Sequence, residues 1–86
     1  MTDTMICSVY RSAKKEGMYL YVPKATLFES VPEVLMKQFG TPGHVMDMLL
    51  TQDKKLARVN AQEVLLGLND QGFFLQMPPG KDLLQY

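Results

Sequence analysis

The chain is short of the residues from which active sites are commonly built. It has one cysteine, Cys7, and one histidine, His44, in 86 residues. A single thiol excludes an internal disulfide and a Cys-based zinc cluster, and it fits a reducing, cytoplasmic setting. Tryptophan is absent, and nine basic residues cancel nine acidic ones. A dedicated nucleic-acid module is usually far more basic, so any basic site here has to be local. No apolar run approaches the roughly 20 residues that cross a bilayer, so no membrane is expected among the partners. "MTDTMICSVY" has no basic region ahead of its apolar stretch, which argues against a signal peptide.

What is present is an ordinary globular composition, 47% hydrophobic, in a chain of single-domain length. The expectation is one domain over 1–86, with 1–4 and 80–86 as candidate flexible ends. Met5 to Arg11 alternates, with Met5, Cys7 and Val9 on one face and Ile6, Ser8 and Tyr10 on the other. After polar "SAKKEG", Met18, Leu20 and Val22 alternate with Tyr19 and Tyr21. The two runs predict a β-hairpin. Ser30 and Glu33 form a capping-box pattern ahead of Val31, Val34, Leu35 and Phe39, and Gly40 follows as a stop, so a helix is expected over about 31–39.

"HVMDMLL" reads as a strand with Met46, Met48 and Leu50 on one face and Asp47 between Val45 and Leu49 on the other. "KKLARV" reads as a weaker strand whose cations suit a sheet edge. Asn60 and Glu63 repeat the capping pattern before a helix striped by Ala61, Val64, Leu65 and Leu68 and ended by Gly72. The nearly continuous apolar run "GFFLQM" suits a central strand covered on both faces. Pro78 and Pro79 close it, and "GKDLLQY" is left as a tail or a last turn of helix. The order is ββαββαβ. The expected fold is a small single-domain α/β/α sandwich, with a mixed, mostly antiparallel sheet and helices on both faces.

Four blocks in register, "VYRSAKKEGMYLYV", "FESVPEVLMKQFG", "KKLARVNAQEV" and "GFFLQMPPGKDLL", resemble the YcgL family of small bacterial proteins. The match runs from about Ile6 to Leu84. Its most specific pieces are "YRS" followed by "YLYV", and the aromatic-Leu-Gln-Met-Pro-Pro run. The resemblance implies a compact α/β/α domain. The family carries no established biochemical activity, so no catalytic or ligand residue is transferred. Its members often continue past "DLL", which leaves the path of the last residues open.

Catalysis is poorly provided for. His44 is a general-base candidate by residue type, but no Ser or Cys lies near it in sequence, and a loop histidine is the plainer reading. Cys7 alternates inward and reads as a buried structural thiol. Asp47 interrupts an apolar strand; a carboxylate with a raised pKa is the functional reading, and an outward side chain paired with a neighbour such as Arg58 is the plainer one. Being three apart on a strand, His44 and Asp47 are expected on opposite faces. "GTPGH" follows a helix and leads into a strand, the reverse of a phosphate loop. No cofactor and no metal are expected.

The opening hairpin is the remaining candidate. Arg11, Lys14 and Lys15 stand beside Tyr10, Tyr19 and Tyr21, and cations among aromatics are how single-stranded nucleic acid is held. That use requires the tyrosines to share an exposed face. Lys54, Lys55 and Arg58 would extend the patch. Seven methionines serve either as core filler or as the lining of an adaptable protein-binding groove. The reading is a non-catalytic interaction domain for a protein partner. A single-stranded RNA-binding module is the runner-up, and an enzyme using His44 and Asp47 comes third.

Overall fold

The computed structural model describes residues 4–56 and 59–78. The elements are β1 (Thr4–Arg11), β2 (Tyr19–Pro23), α1 (Glu33–Phe39), β3 (Gly43–Thr51), α2 (Ala61–Asp70) and β4 (Phe74–Gln76). The strands form one four-stranded sheet in the order β3-β1-β2-β4, and each neighbouring pair is antiparallel. The expected α/β/α sandwich is observed, with one fewer strand. Lys54 to Leu56 are not in a strand, and the rest of "KKLARV" falls partly on residues 57–58, outside the described residues. The order among the described residues is therefore ββαβαβ.

Alternation in β1 and β2 builds two cores. Directly opposed residues of an antiparallel pair share a face, and Val9 faces Tyr21 while Tyr10 faces Leu20. On one side Cys7, Val9, Tyr21 and Leu50 pack with Ala61, Val64, Leu65 and Leu68 of α2. On the other, Met18, Leu20 and Val22 pack with Val31 and Phe39, joined at the margin by Tyr10, Phe28, Leu35 and Met36. β1 and β2 are the two central strands, covered by α2 on one face and α1 on the other. β4 was expected in the centre but is an edge strand: Phe73 and Leu75 pack toward α1 while Phe74 packs toward α2, so covering both faces does not require a neighbour on both edges.

The helix starts differ in chemistry. Asn60 accepts hydrogen bonds from the amides of Gln62 and Glu63 at 2.7 and 3.3 Å, the expected cap of α2. The Ser30–Glu33 box of α1 is not formed. Pro32 is the N-cap, with no side-chain cap, and Glu33 opens the helix, where its charge suits the dipole. The C-terminus of α1 is held instead by the β1–β2 turn. Ser12 Oγ donates to the Phe39 carbonyl at 2.6 Å, and Lys14 Nζ donates to the Lys37 carbonyl at 2.8 Å. Gly40, at φ 83°, lets the chain leave beneath that lysine; a Cβ there would stand 2.9 Å from Lys14 Cγ.

Among the described residues no helix is long and apolar enough to cross a membrane. The tail, 80–86, lies outside the described residues.

Candidate functional site

Two regions bring chemistry-bearing side chains together. The first lies on the α1 side of β1 and β3. The register of β1 against β3 shifts between Val9, which faces Met46, and Tyr10, which faces His44. Val45 is thus the extra residue of a β-bulge. The bulge turns His44 onto the face of Asp47, against the expectation from strict alternation, and its Nε2 lies 2.8 Å from Asp47 Oδ1. Ser8 Oγ donates to the same oxygen at 2.6 Å, and Lys24 Nζ reaches Oδ2 at 2.6 Å. Tyr10 stacks edge-on to the His44 ring at 5.2 Å and packs on Phe28 at 4.8 Å.

Asp47 does not have the raised pKa its apolar strand pointed to. Lys24 first, then Ser8 and His44, hold its carboxyl well below the usual carboxylate range. The partner expected from the sequence, Arg58, lies outside the described residues. A carboxylate so saturated is a poor base, and Ser8 is buried with its hydroxyl committed to the aspartate rather than to His44. The arrangement ties the turn after β2 to the edge strand β3. On the opposite face Cys7 is fully buried, and its thiol is pushed up to about 11, chiefly by burial. No group of three or more His, Cys, Asp or Glu able to hold a metal is found among the described residues.

The second region is a groove on the α2 side. It encloses about 320 Å³ between Val9, Tyr19, Tyr21, Met46, Met48, Leu56 and Gln76. The strand register explains its position. Met46, Val9, Tyr21 and Phe74 form one row across the sheet, and Gly43, Arg11, Tyr19 and Gln76 form the next. α2 covers the deeper part of this face through Val64, Leu65 and Leu68. The outer rows stay open: Met46 is 47% exposed, while Tyr19, Met48 and Leu56 are half-buried. At the floor Tyr21 Oη donates to Gln76 Oε1 at 2.9 Å, which satisfies both buried polar groups.

The six hairpin residues singled out in the sequence do not form one surface. Tyr10 belongs to the α1 side, Tyr19 and Tyr21 to the α2 side. Tyr21 is buried. Lys14 is engaged with the end of α1, and Lys15 lies in the turn, where its amide donates to Ser12 Oγ. Only Arg11 and Tyr19 remain together, directly opposed across β1 and β2. The sequence assigns Met46 and Met48 to a strand face without showing that the helix leaves Met46 exposed and Met48 half-buried.

The YcgL domain family model matches residues 7–79. The chain belongs to the YcgL domain family. A YcgL domain-containing protein of Saccharophagus degradans is 56% identical over 75 residues, 87% of this chain and 82% of that one. Relatives of the same description in Mannheimia succiniciproducens and Pseudomonas fluorescens are each 54% identical, over 93% and 90% of this chain and 78% and 79% of theirs. The matched span takes in all of β2, α1, β3, α2 and β4 and most of β1, so both the groove and the Asp47 cluster lie within the YcgL domain.

Proposed function

We propose that this YcgL domain is a non-catalytic binding module that takes a segment of a protein partner into the groove on its α2 side. The observation that carries this reading is the open, largely apolar hollow between Val9, Tyr19, Met46, Met48 and Leu56. An apolar hollow of this kind gains free energy by excluding water. Thioethers at its mouth adapt to side chains of different shape, as on promiscuous protein-binding surfaces. The Asp47 cluster supports the same reading, since its polar groups are paired with one another. The setting is cytoplasmic, which suits a lone reduced thiol. Single-stranded RNA is the second reading, favoured by the cation–aromatic pair of Arg11 and Tyr19.

A random-peptide phage selection on the immobilised domain tests the proposal, with the Met46→Glu variant as counter-selection. Because Met46 is exposed, the variant is expected to fold, which amide spectra would verify. Peptides with large apolar residues should be enriched on the wild type and lost on the variant. Enrichment indifferent to Met46→Glu, or no enrichment, would refute the groove as a protein-binding site.

A further inference from the structure

We infer that the segment bound in the groove is acidic as well as apolar, an inference that rests on the binding role proposed above. Two cations among the described residues are engaged within the fold. Lys24 is paired with Asp47, and Lys14 is spent on the Lys37 carbonyl. Arg11, Lys15, Lys37, Lys54 and Lys55 are exposed and make no ion pair among the described residues. Of these, Arg11 lies in the sheet row beside the groove, and Lys54 and Lys55 adjoin its lining residue Leu56 in the chain.

Arg11 borders it on the outer row, opposite Tyr19 on one side and Gly43 on the other. A Cβ on Gly43 would lie 3.3 Å from both Cγ and Nε of Arg11, so the arginine stem leans across the start of β3, toward the Met46 end. Lys54 and Lys55 immediately precede Leu56, which lines the groove. None of the groove-lining residues is acidic, and Asp53 is outweighed in its turn by Lys54 and Lys55.

An apolar hollow rimmed by unpaired cations is complementary to large apolar side chains flanked by carboxylates. Rim charges of this kind steer encounter and reject the wrong partner more than they add raw affinity. A peptide fits better than a nucleic acid, because Tyr19 alone offers a partly exposed ring, whereas single strands are held on successive aromatic platforms. The remainder of the lining is mainly aliphatic or thioether.

The test is an amide-shift titration of the full chain with four probes. These are acetyl-Glu-Asp-Leu-Phe-Glu-Asp-amide, its Gln/Asn counterpart, its Lys counterpart and a short oligouridylate. The acidic peptide should shift Val9, Tyr19, Met46 and Met48 and bind about tenfold more tightly than the neutral one. The Lys peptide should be silent. The triple variant Arg11→Glu/Lys54→Glu/Lys55→Glu should lose about the same factor while keeping its fold, and its residual affinity should match that of the neutral peptide. Equal binding of acidic and neutral peptides would overturn the acidic preference and leave the binding role standing. Silence of all three peptides would remove both. Shifts of Tyr19 and Arg11 with oligouridylate alone would overturn the inference in favour of RNA. Groove shifts produced by Leu83→Ser/Leu84→Ser without any peptide would overturn it in favour of the chain's own tail.

Discussion

The basic β1–β2 turn was a candidate for ligand binding in the sequence, and its structural duty can be measured. Ser12 Oγ donates to the Phe39 carbonyl at 2.6 Å and accepts from the amides of Lys14 and Lys15 at 3.0 and 2.9 Å. Ser12→Ala removes all three bonds. The two amides are exposed and regain water, so their loss costs little. The Phe39 carbonyl sits above a fully buried ring at the end of α1, and leaving such a group unpaired costs about 1–3 kcal/mol. The expected loss is therefore about 2 kcal/mol. That is a large share of the roughly 4–13 kcal/mol that a domain of 86 residues commonly holds.

At this size about 1 kcal/mol moves Tm by about 4–8 °C, so Ser12→Ala should melt about 8–16 °C lower. Lys14→Met should lose less, about 1–8 °C, because an exposed cation at a helix C-terminus is worth about 0.3–1 kcal/mol. Arg11→Gln should leave Tm within about 4 °C, as surface changes away from such contacts usually fall within about 0.5 kcal/mol. Thermal unfolding followed by far-UV circular dichroism measures all three. Amide shifts at Phe39 and Gly40 should accompany the first. A Ser12→Ala Tm within about 2 °C of wild type, or an Arg11→Gln loss larger than that of Ser12→Ala, would refute the division between structural and free polar groups in this hairpin.

The Asp47 cluster predicts an acid limb of stability. Its carboxyl is held low in the folded chain, so the contribution is present above the unfolded value near pH 4 and is lost as pH falls below it toward the folded value. Asp47→Asn should flatten the fall of Tm below about pH 4, and parallel wild-type and variant curves would sink the assignment. Cys7, raised to about 11, should be unreactive while folded. At pH 8 a pKa of about 11 in place of about 8.5–9 leaves roughly a hundredfold less thiolate. Native protein should react with a disulfide reagent at least about a hundredfold more slowly than the chain in guanidinium, and prompt native labelling would contradict its burial.

Much of the fold was legible because alternation and capping are local. Met5, Cys7 and Val9 against Ser8 and Tyr10 fixed two apolar faces, and two helices were available to cover them. Asn60 capped α2 as its residue type requires. The Ser30–Glu33 pattern failed because Pro32 is already the N-cap, and nothing local in the capping motif registers which residue the preceding loop delivers there. "GFFLQM" misled in a related way. Apolarity on both faces reports cover above and below a strand, and β4 obtains that from α1 and α2 while one of its edges stays open among the described residues.

The candidate site was less legible, because it depends on a register and on an omission. His44 and Asp47 meet only because Val45 bulges, and one inserted residue reverses every facing inferred from sequence spacing beyond it. A carboxylate in the middle of an apolar strand was the one hint that partners had to converge there. The groove depends on where α2 ends its cover, and a stripe of four buried residues on that helix does not say which sheet rows it will leave open. The cations show the limit most directly. Lys14 and Arg11 lie three positions apart in one basic stretch, with nothing in their composition or spacing to separate them. One closes a helix end and the other leans over Gly43 at the mouth of an apolar hollow. Their difference is a matter of which carbonyl or carboxylate each can reach, and in this fold Lys14 reaches Lys37 while Arg11 reaches no acid among the described residues. A charge left unpaired beside an apolar hollow is therefore the feature most worth perturbing, because partner chemistry can complete it where the chain's own does not.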